Sequence, residues 1–448
     1  MDLTITLNAN ERNANDSVGL DEPHGIRVAA DEVVFTRLVR PNHAGADEYL
    51  QAPPAQLAFW LVDNWWRLRW EGPHGQPTPG WRLSHDLSSI GGGYAWPRLC
   101  MWGLGDLMVC DSRADPPGVV GPIRYLTEAQ LTVTAISFEE AVSDLVAAVL
   151  DRSRRMTSDT DALAAQWGAL AAEQADPEIS AWRRLEARLG FDVDDAPEVL
   201  MGRLGEIAAR FDAAGVEEAA MAAPGEESLS VLEDAIAAVR ASGVDCDFGH
   251  ALACLKDIED QADPAGAFRP ASEQPPWVDG EMAAAVLRRE TGITHGPLRN
   301  RMLSELLQTH PNTFRQTRTI GSSRPYGLRI GSDDGSGRQR LTLQTHSSGS
   351  RRFEAARALG DAQWSRRTDA SRLGPIGWAD TARQRFQRTF AQALLCPYAD
   401  LDDDLGPGYV DDDRIDAAAR HYHVTEGVIR TVLVNKGRID RDRLPASS

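Results

Sequence analysis

The side chains with the most chemistry on one short stretch are Glu354, Arg357 and Asp361, within RRFEAARALGDAQW (Arg351–Trp364). The small and apolar residues between them predict a helix, on which positions three, four and seven apart share a face. An acid, a guanidinium and a second acid in that order can pair as a ladder. On an exposed face each pair is worth about 0.2–0.5 kcal/mol. Enclosed, the main consequence is a penalty for removing either partner. A helical zinc site needs two imidazoles four residues apart, with a glutamate between them to activate water. This stretch has no imidazole, a guanidinium cannot ligate zinc, and only Asp361 keeps an oxygen suited to a metal.

Other candidates are scattered. His346 precedes the helix, while His421 and His423 are two apart, which puts their rings on different helix faces. The acidic run ADLDDDLGPGYVDDDRID (Ala399–Asp416) lacks the EF-hand spacing and reads as a solvated loop that could shield basic surface. Tryptophans cluster between Trp60 and Trp102, as the core of a small domain would require. The sharper alternative is an aromatic platform for a ligand or base, with Arg67 and Arg69 beside it. His85 and GGGY (Gly91–Tyr94) lie nearby, but without the lysine and the helix-opening Ser or Thr of a phosphate loop. IDAAARHYHVTEGVIRTVLVNKG (Ile415–Gly437) has the length of a helix-turn-helix, with Thr425 capping the second helix. Arg430, Asn435 and Lys436, with Glu426 and Thr431, would then be the possible DNA contacts.

The elements that must position these groups predict an α+β, predominantly α-helical chain of two or three domains in 448 residues. Residues 1–137 form a strand-rich, Trp-containing N-terminal domain. There LTITL alternates, RLCMWGLGDLMVCD is a hairpin, and PAQLAFWLVDNWWRLRW is a helix running into a strand near Arg67. Residues 138–270 form a central helical bundle. Its first helix opens on a capping box, Ser137 with Glu140, and two later helices close at Gly215 and Gly243. The Pro-rich stretch Asp263–Trp277 marks a boundary. In residues 278–440, two helices lead to the strands YGLRI and RLTLQTH around the turn GSDDGSG. The helix at Arg351, the helix ARQRFQRTFAQALLCP, the acidic loop and a closing helix pair follow.

A net charge of −19 argues against non-specific nucleic-acid binding by the whole chain. Residues Arg288 to Arg388 nevertheless carry roughly 19 basic against 8 acidic side chains. Lys256 and Lys436 are the only lysines, a bias that with abundant alanine fits a GC-rich bacterial genome. Five unclustered cysteines fit free thiols in a reducing cytosol. With neither a secretory signal nor an apolar run of about 18 residues, the expectation is a soluble cytoplasmic protein that does not enter membranes.

The order of elements after residue 278 resembles the ImmA/IrrE family of bacterial zinc metallopeptidases. The likeness rests on RRFEAARALG (Arg351–Gly360), FAQALLCP (Phe390–Pro397) and the closing IDAAARHYHVTEGVIRTVLVNKGRI, and it covers roughly a third of the chain. It implies a zincin-like domain ending in helix-turn-helix-like helices. It also identifies Arg357, Ala358 and Asp361 as the former metal-site positions, where the family has histidine, glutamate and histidine. The helix expected to bring the third, acidic ligand reads Arg-Gln-Arg-Phe-Gln-Arg-Thr (Arg383–Thr389) and carries no carboxylate. The resemblance therefore implies a degenerate peptidase fold with no metal, cofactor or identifiable small-molecule ligand. Glu354, Arg357 and Asp361 would fill its pocket as an ion-paired ladder. The implied role is a regulatory module that binds a protein partner, in a mobile-element, stress or toxin–antitoxin setting. The alternatives are a DNA-binding regulator and an active zinc endopeptidase with displaced ligands, around His85 or Asp361.

Overall fold

The computed structural model describes every residue except 9–22, 42, 44, 76, 119–120, 157–160, 262–273, 316–323, 333–336, 368–371 and 445–448. Most of the Pro-rich boundary and the centre of the GSDDGSG turn thus lie outside the described residues. The fold is α+β, 54% helical, with several small antiparallel sheets. It divides into two compact units, Met1–Pro197 and Glu198–Ser448, each with its own apolar core. The helical stretch expected over 138–270 is shared between them.

In the first unit β1 (Leu3–Asn8) pairs antiparallel with β2 (His24–Ala30), which also carries β3 (Val33–Val34). Next come β4 (Leu38–Val39) and β5 (Leu50–Ala52), the latter also on β2. Helix α1 (Pro54–Asp63) is followed by α2 (Trp65–Trp70) and α3 (Pro79–His85). The strand expected near Arg67 is therefore a helix. Asn64 interrupts the helix for one residue while its side-chain amide donates to Trp60 O at 2.8 Å, and WWRLRW then resumes with Trp65, Trp66, Leu68 and Arg69 inward. From Trp66 to Trp70 apolar residues alternate with arginine, while Trp65, Trp66, Leu68 and Arg69 also fit one helix face, so pattern alone could not choose.

The hairpin of β6 (Leu99–Leu104) and β7 (Leu107–Ser112) forms as its sequence predicts, with Gly105 at φ 68° in the two-residue turn. At Gly103 a Cβ would overlap the Arg69 carbonyl, so glycine lets α2 lie directly on β6. Strand β8 (Arg124–Tyr125) pairs with β4, and β9 (Ala129–Thr134) with β7. Helix α4 (Ala135–Met156) begins before Ser137. The group that receives the Ser137 N–H is Thr134 Oγ1, at 3.2 Å, so Ser137 is not the cap. Helices α5 (Asp161–Ala175) and α6 (Pro177–Arg188) complete the unit. Trp65, Trp66, Trp81, Trp96 and Trp102 are all buried, which makes the cluster a core and not a platform.

In the second unit the single helix expected to end at Gly215 is two, α7 (Glu198–Arg210) and α8 (Ala213–Ala222). Asp212 caps α8 by accepting the Gly215 N–H at 2.5 Å, so Gly215 is a first-turn residue. Helix α9 (Ser228–Ser242) does end at Gly243. An unforeseen strand, β10 (Val244–Asp247), precedes α10 (Gly249–Gln261), α11 (Pro276–Glu290) and α12 (Asn300–Leu306). Strands β11 (Gly327–Gly331) and β12 (Arg338–Leu341) lead into α13 (Ser348–Arg367), then β13 (Leu373–Ile376) and α14 (Ala382–Leu395). The sheet order is β10-β12-β11-β13, antiparallel throughout. Gly280 brings α11 against α14, since a Cβ there would meet Thr389 and the Phe386 carbonyl.

The chain closes with α15 (Tyr398–Leu405), α16 (Asp412–Tyr422) and α17 (Glu426–Asn435). Most of the acidic run is thus helix, residues 399–405 in α15 and 412–416 in α16, and not a loop. Leu401 and Leu405 are buried, and its acids have fixed partners: Asp404 accepts the Tyr422 hydroxyl at 2.6 Å and Asp402 accepts from Arg438 at 3.1 Å. Of the basic stretch, Arg288, Arg329, Arg352, Arg357 and Arg383 are inside, away from any surface shield.

Candidate functional site

Helix α13 turns its polar face inward, and what holds it there is a series of arginine contacts. At its start Arg351 Nε donates to Thr313 O at 2.9 Å. Arg352, fully enclosed, donates to His423 O at 3.0 Å, to Leu298 O and to Asn300 Oδ1. Burial pulls its pKa down to about 10. One turn on, Glu354 receives the backbone N–H groups of Gln344 at 2.8 Å and Thr345 at 3.2 Å. It therefore secures the segment that joins β12 to α13. Ala358 packs in the apolar core.

The ladder of Glu354, Arg357 and Asp361 does not form by direct bonds. Arg357 donates through Nη2 to three neutral oxygens: Gly377 O at 2.6 Å, Gln387 Oε1 at 3.1 Å and Gln384 Oε1. Its buried Nε has no acceptor among the described residues, and burial lowers its pKa to about 9. The indole of Trp378, itself exposed, lies 5.7 Å from the guanidinium carbon.

Asp361 has different partners. Its Oδ1 accepts from Arg383 Nε at 2.6 Å and Gln387 Nε2 at 2.6 Å. Its Oδ2 accepts from Arg329 Nε at 2.7 Å and Arg383 Nη2 at 2.9 Å. Ser365 Oγ receives both arginines and donates to Asp361 O at 2.8 Å. Arg329 also reaches Gln339 Oε1 at 2.6 Å. Burial would raise the Asp361 carboxyl, but Arg383 and Arg329 override it and hold the group below the usual carboxylate range.

A carboxylate offers about four lone-pair directions. All four here receive an N–H, so Asp361 has none left for a cation. Among the described residues no group of three or more His, Cys, Asp or Glu is placed to hold a metal ion. The donor set at Arg357, Ala358 and Asp361 does not fit zinc.

No family model, curated protein or solved structure matches the chain.

The remaining candidates are dispersed. His85 is enclosed in the first unit, stacked on Trp81, with Nδ1 2.8 Å from Trp81 O and Nε2 3.2 Å from Arg67 O. Burial lowers its pKa to about 4. The neutral ring donates to only one of these two carbonyls, but it is fully enclosed against Trp81, so it is not placed to act as a ligand or base. Gly91, Gly92 and Gly93 all have positive φ and make a turn whose Gly91 carbonyl receives the Trp96 indole N–H. His423 is the left-handed C-cap of α16, and His421 sits 3.7 Å from Asp404.

Of the possible DNA contacts, Arg430 is held by Asp412 at 3.0 Å and Glu426 at 3.3 Å. Lys436 is held by Glu281 at 2.8 Å, and Asn435 is exposed. Thr425 does cap α17, accepting the Val428 N–H at 3.4 Å.

The residues that sequence reasoning missed are Arg329, Arg383, Gln384 and Gln387. A signal existed: an arginine within the apolar strand YGLRI, and the Arg-Gln-Arg-Phe-Gln-Arg repeat whose i, i+4 positions Arg383 and Gln387 share a helix face.

Proposed function

We propose that the chain is a non-catalytic relative of the ImmA/IrrE metallopeptidases that acts as a protein-interaction or regulatory module in a bacterial cytoplasm. The second unit keeps a frame of paired strands, α13 and α14 while the metal chemistry is gone. One observation carries this reading: Asp361, which of the three expected ligand and base positions alone keeps a suitable oxygen, has every lone-pair direction filled by Arg329, Arg383 and Gln387. The mobile-element, stress or toxin–antitoxin setting belongs to the resemblance. A displaced zinc site draws no support, since His85 is fully enclosed and Asp361 has its lone pairs filled. A DNA-reading role draws none from Arg430 and Lys436, whose charges are met by acids.

The test is zinc stoichiometry by plasma mass spectrometry on untagged protein purified without chelators, together with a peptide-hydrolysis assay. We expect far less than one zinc per chain and no hydrolysis above buffer. Close to one zinc per chain, lost in Asp361→Ala, would overturn the reading.

A further inference from the structure

The second unit contains a cavity of about 540 Å³ between α11, α17 and the α14–α15 junction, and none of its lining residues belongs to the Asp361 network. The volume falls within the range of sites that take ligands. Ala285, Ile293, Ala393 and Val432 give it apolar walls, and the Tyr398 ring lies at its edge against Lys436.

Its charges are already matched. Lys436 is paired with Glu281 at 2.8 Å and Arg289 with Glu290 at 3.1 Å. Arg288 lies 3.7 Å from Asp400 and spends its N–H groups on Leu394 O and Gly296 O, both at 2.8 Å. A charged ligand would find no free counter-charge. What remains is the Gln392 carboxamide, which lines the cavity, is 9% exposed, and makes no side-chain hydrogen bond among the described residues. Asn435 adds a second carboxamide at the rim. The polar atoms of Gln392 keep access to the cavity, where the amide presents a donor beside an acceptor. Its natural complement is another amide.

We propose that this cavity binds a short apolar segment of a partner protein, its aliphatic side chains against the walls and a main-chain amide paired with Gln392. The proposal rests on the reading of the chain as a protein-binding module and names the partner's chemistry. An apolar anchor seated in a pocket is where binding energy concentrates in such interfaces, and the matched charges explain why the segment is neutral.

The probe is the capped dipeptide Ac-Leu-Leu-NH2, titrated calorimetrically into the full chain, with Ac-Glu-Glu-NH2 and hexanamide as comparisons. Saturable binding of the leucine peptide is expected, at least tenfold tighter than either comparison. Gln392→Leu should weaken it at least tenfold while leaving the thermal unfolding profile in place. Ala285→Trp, at an exposed helix position on the cavity wall, should abolish it by filling the space. Absence of saturable binding overturns the proposal. So does undiminished binding by Gln392→Leu, or hexanamide binding as tightly as the peptide, which would make the occupant a small molecule. Zinc content does not enter this experiment, so the non-catalytic reading can fail while peptide binding stands, and the reverse.

Discussion

Asp361→Ala removes the acceptor of four hydrogen bonds and leaves Arg329 and Arg383 enclosed without a bonded carboxylate. Breaking a buried ion pair from one side costs about 3–5 kcal/mol, most of it the desolvation of the stranded charge. For a unit of roughly 250 residues, an unfolding entropy of about 2.1 cal/mol/K per residue turns that into a fall in Tm of about 6–10 °C. Because the chain has two units, a site-resolved assay is preferable: hydrogen exchange by mass spectrometry on peptides from α13 and α14. The expected loss of protection is roughly 150- to 5,000-fold, at 1.36 kcal/mol per decade. The first unit should be unaffected. The depressed carboxyl fixes the sign of the pH dependence. A group with a lowered folded pKa contributes stability in full above its unfolded value of about 3.9 and loses it as pH falls through the folded value. The gap between wild type and Asp361→Ala should therefore be complete at neutral pH and shrink below about pH 4. A second variant separates charge stranding from lost packing. Asp361→Leu combined with Arg329→Met and Arg383→Met removes the cations as well, and should be less destabilised than Asp361→Leu alone. A single-variant loss under about 1 kcal/mol, or a triple variant worse than the single, would refute the reasoning.

Gly374 lies against this cluster: a Cβ there would overlap Asp361 Oδ2 and come within 2.8 Å of Arg329 Nε. Gly374→Ala should cost about 1–3 kcal/mol by overpacking, whereas Gly168→Ala, in α5 with open space around it, should stabilise by about 0.5–1 kcal/mol; thermal unfolding of each variant checks both. In the first unit His85 should stay neutral down to about pH 4, because burial lowers its pKa. Its contribution is present above the unfolded value of about 6.5 and is lost as pH falls toward 4. An imidazole resonance of His85 that titrates near pH 6.5 would contradict its enclosure.

Much of the second unit was legible because its elements carry local signals: strands ahead of the helix at Arg351, an amphipathic helix ending in FAQALLCP, and Thr425 capping the last helix. That Glu354, Arg357 and Asp361 share one face also followed from their spacing, which left open whether that face is exposed or enclosed. Their partners did not, because hydrogen bonding between side chains depends on what sheet and neighbouring helix present. Arg329 comes from β11 and Arg383 from α14, 32 and 22 residues away from Asp361, and nothing local links them. The same limit hid β10, which becomes a strand by pairing with β12 across nearly a hundred residues. At WWRLRW and at Asp212 the misreading was of a different kind. One residue, Asn64, breaks the helix at the first place and two, Phe211 and Asp212, at the second, and amphipathic pattern is blind to such short breaks.

The arrangement also says how far the site is from a metal centre. On the proposed reading, Arg357→His, Ala358→Glu and Asp361→His together rebuild the helical zinc motif. They do not rebuild the site. The imidazole at 361 would meet Arg329 and Arg383 where a carboxylate now meets both, and two enclosed cations beside a dication repel it. Zinc prefers a third protein ligand, and the side chain already touching position 361 from α14 is Arg383. Replacing it by Glu and Arg329 by Met exchanges both cations for one carboxylate and an uncharged side chain. We therefore expect the three-residue variant to stay far below one zinc per chain, and the five-residue variant, with Arg329→Met and Arg383→Glu added, to approach one. Zinc uptake by the three-residue variant alone would mean that Arg329 and Arg383 can be displaced at little cost, and that the network is not what closes the site to metal.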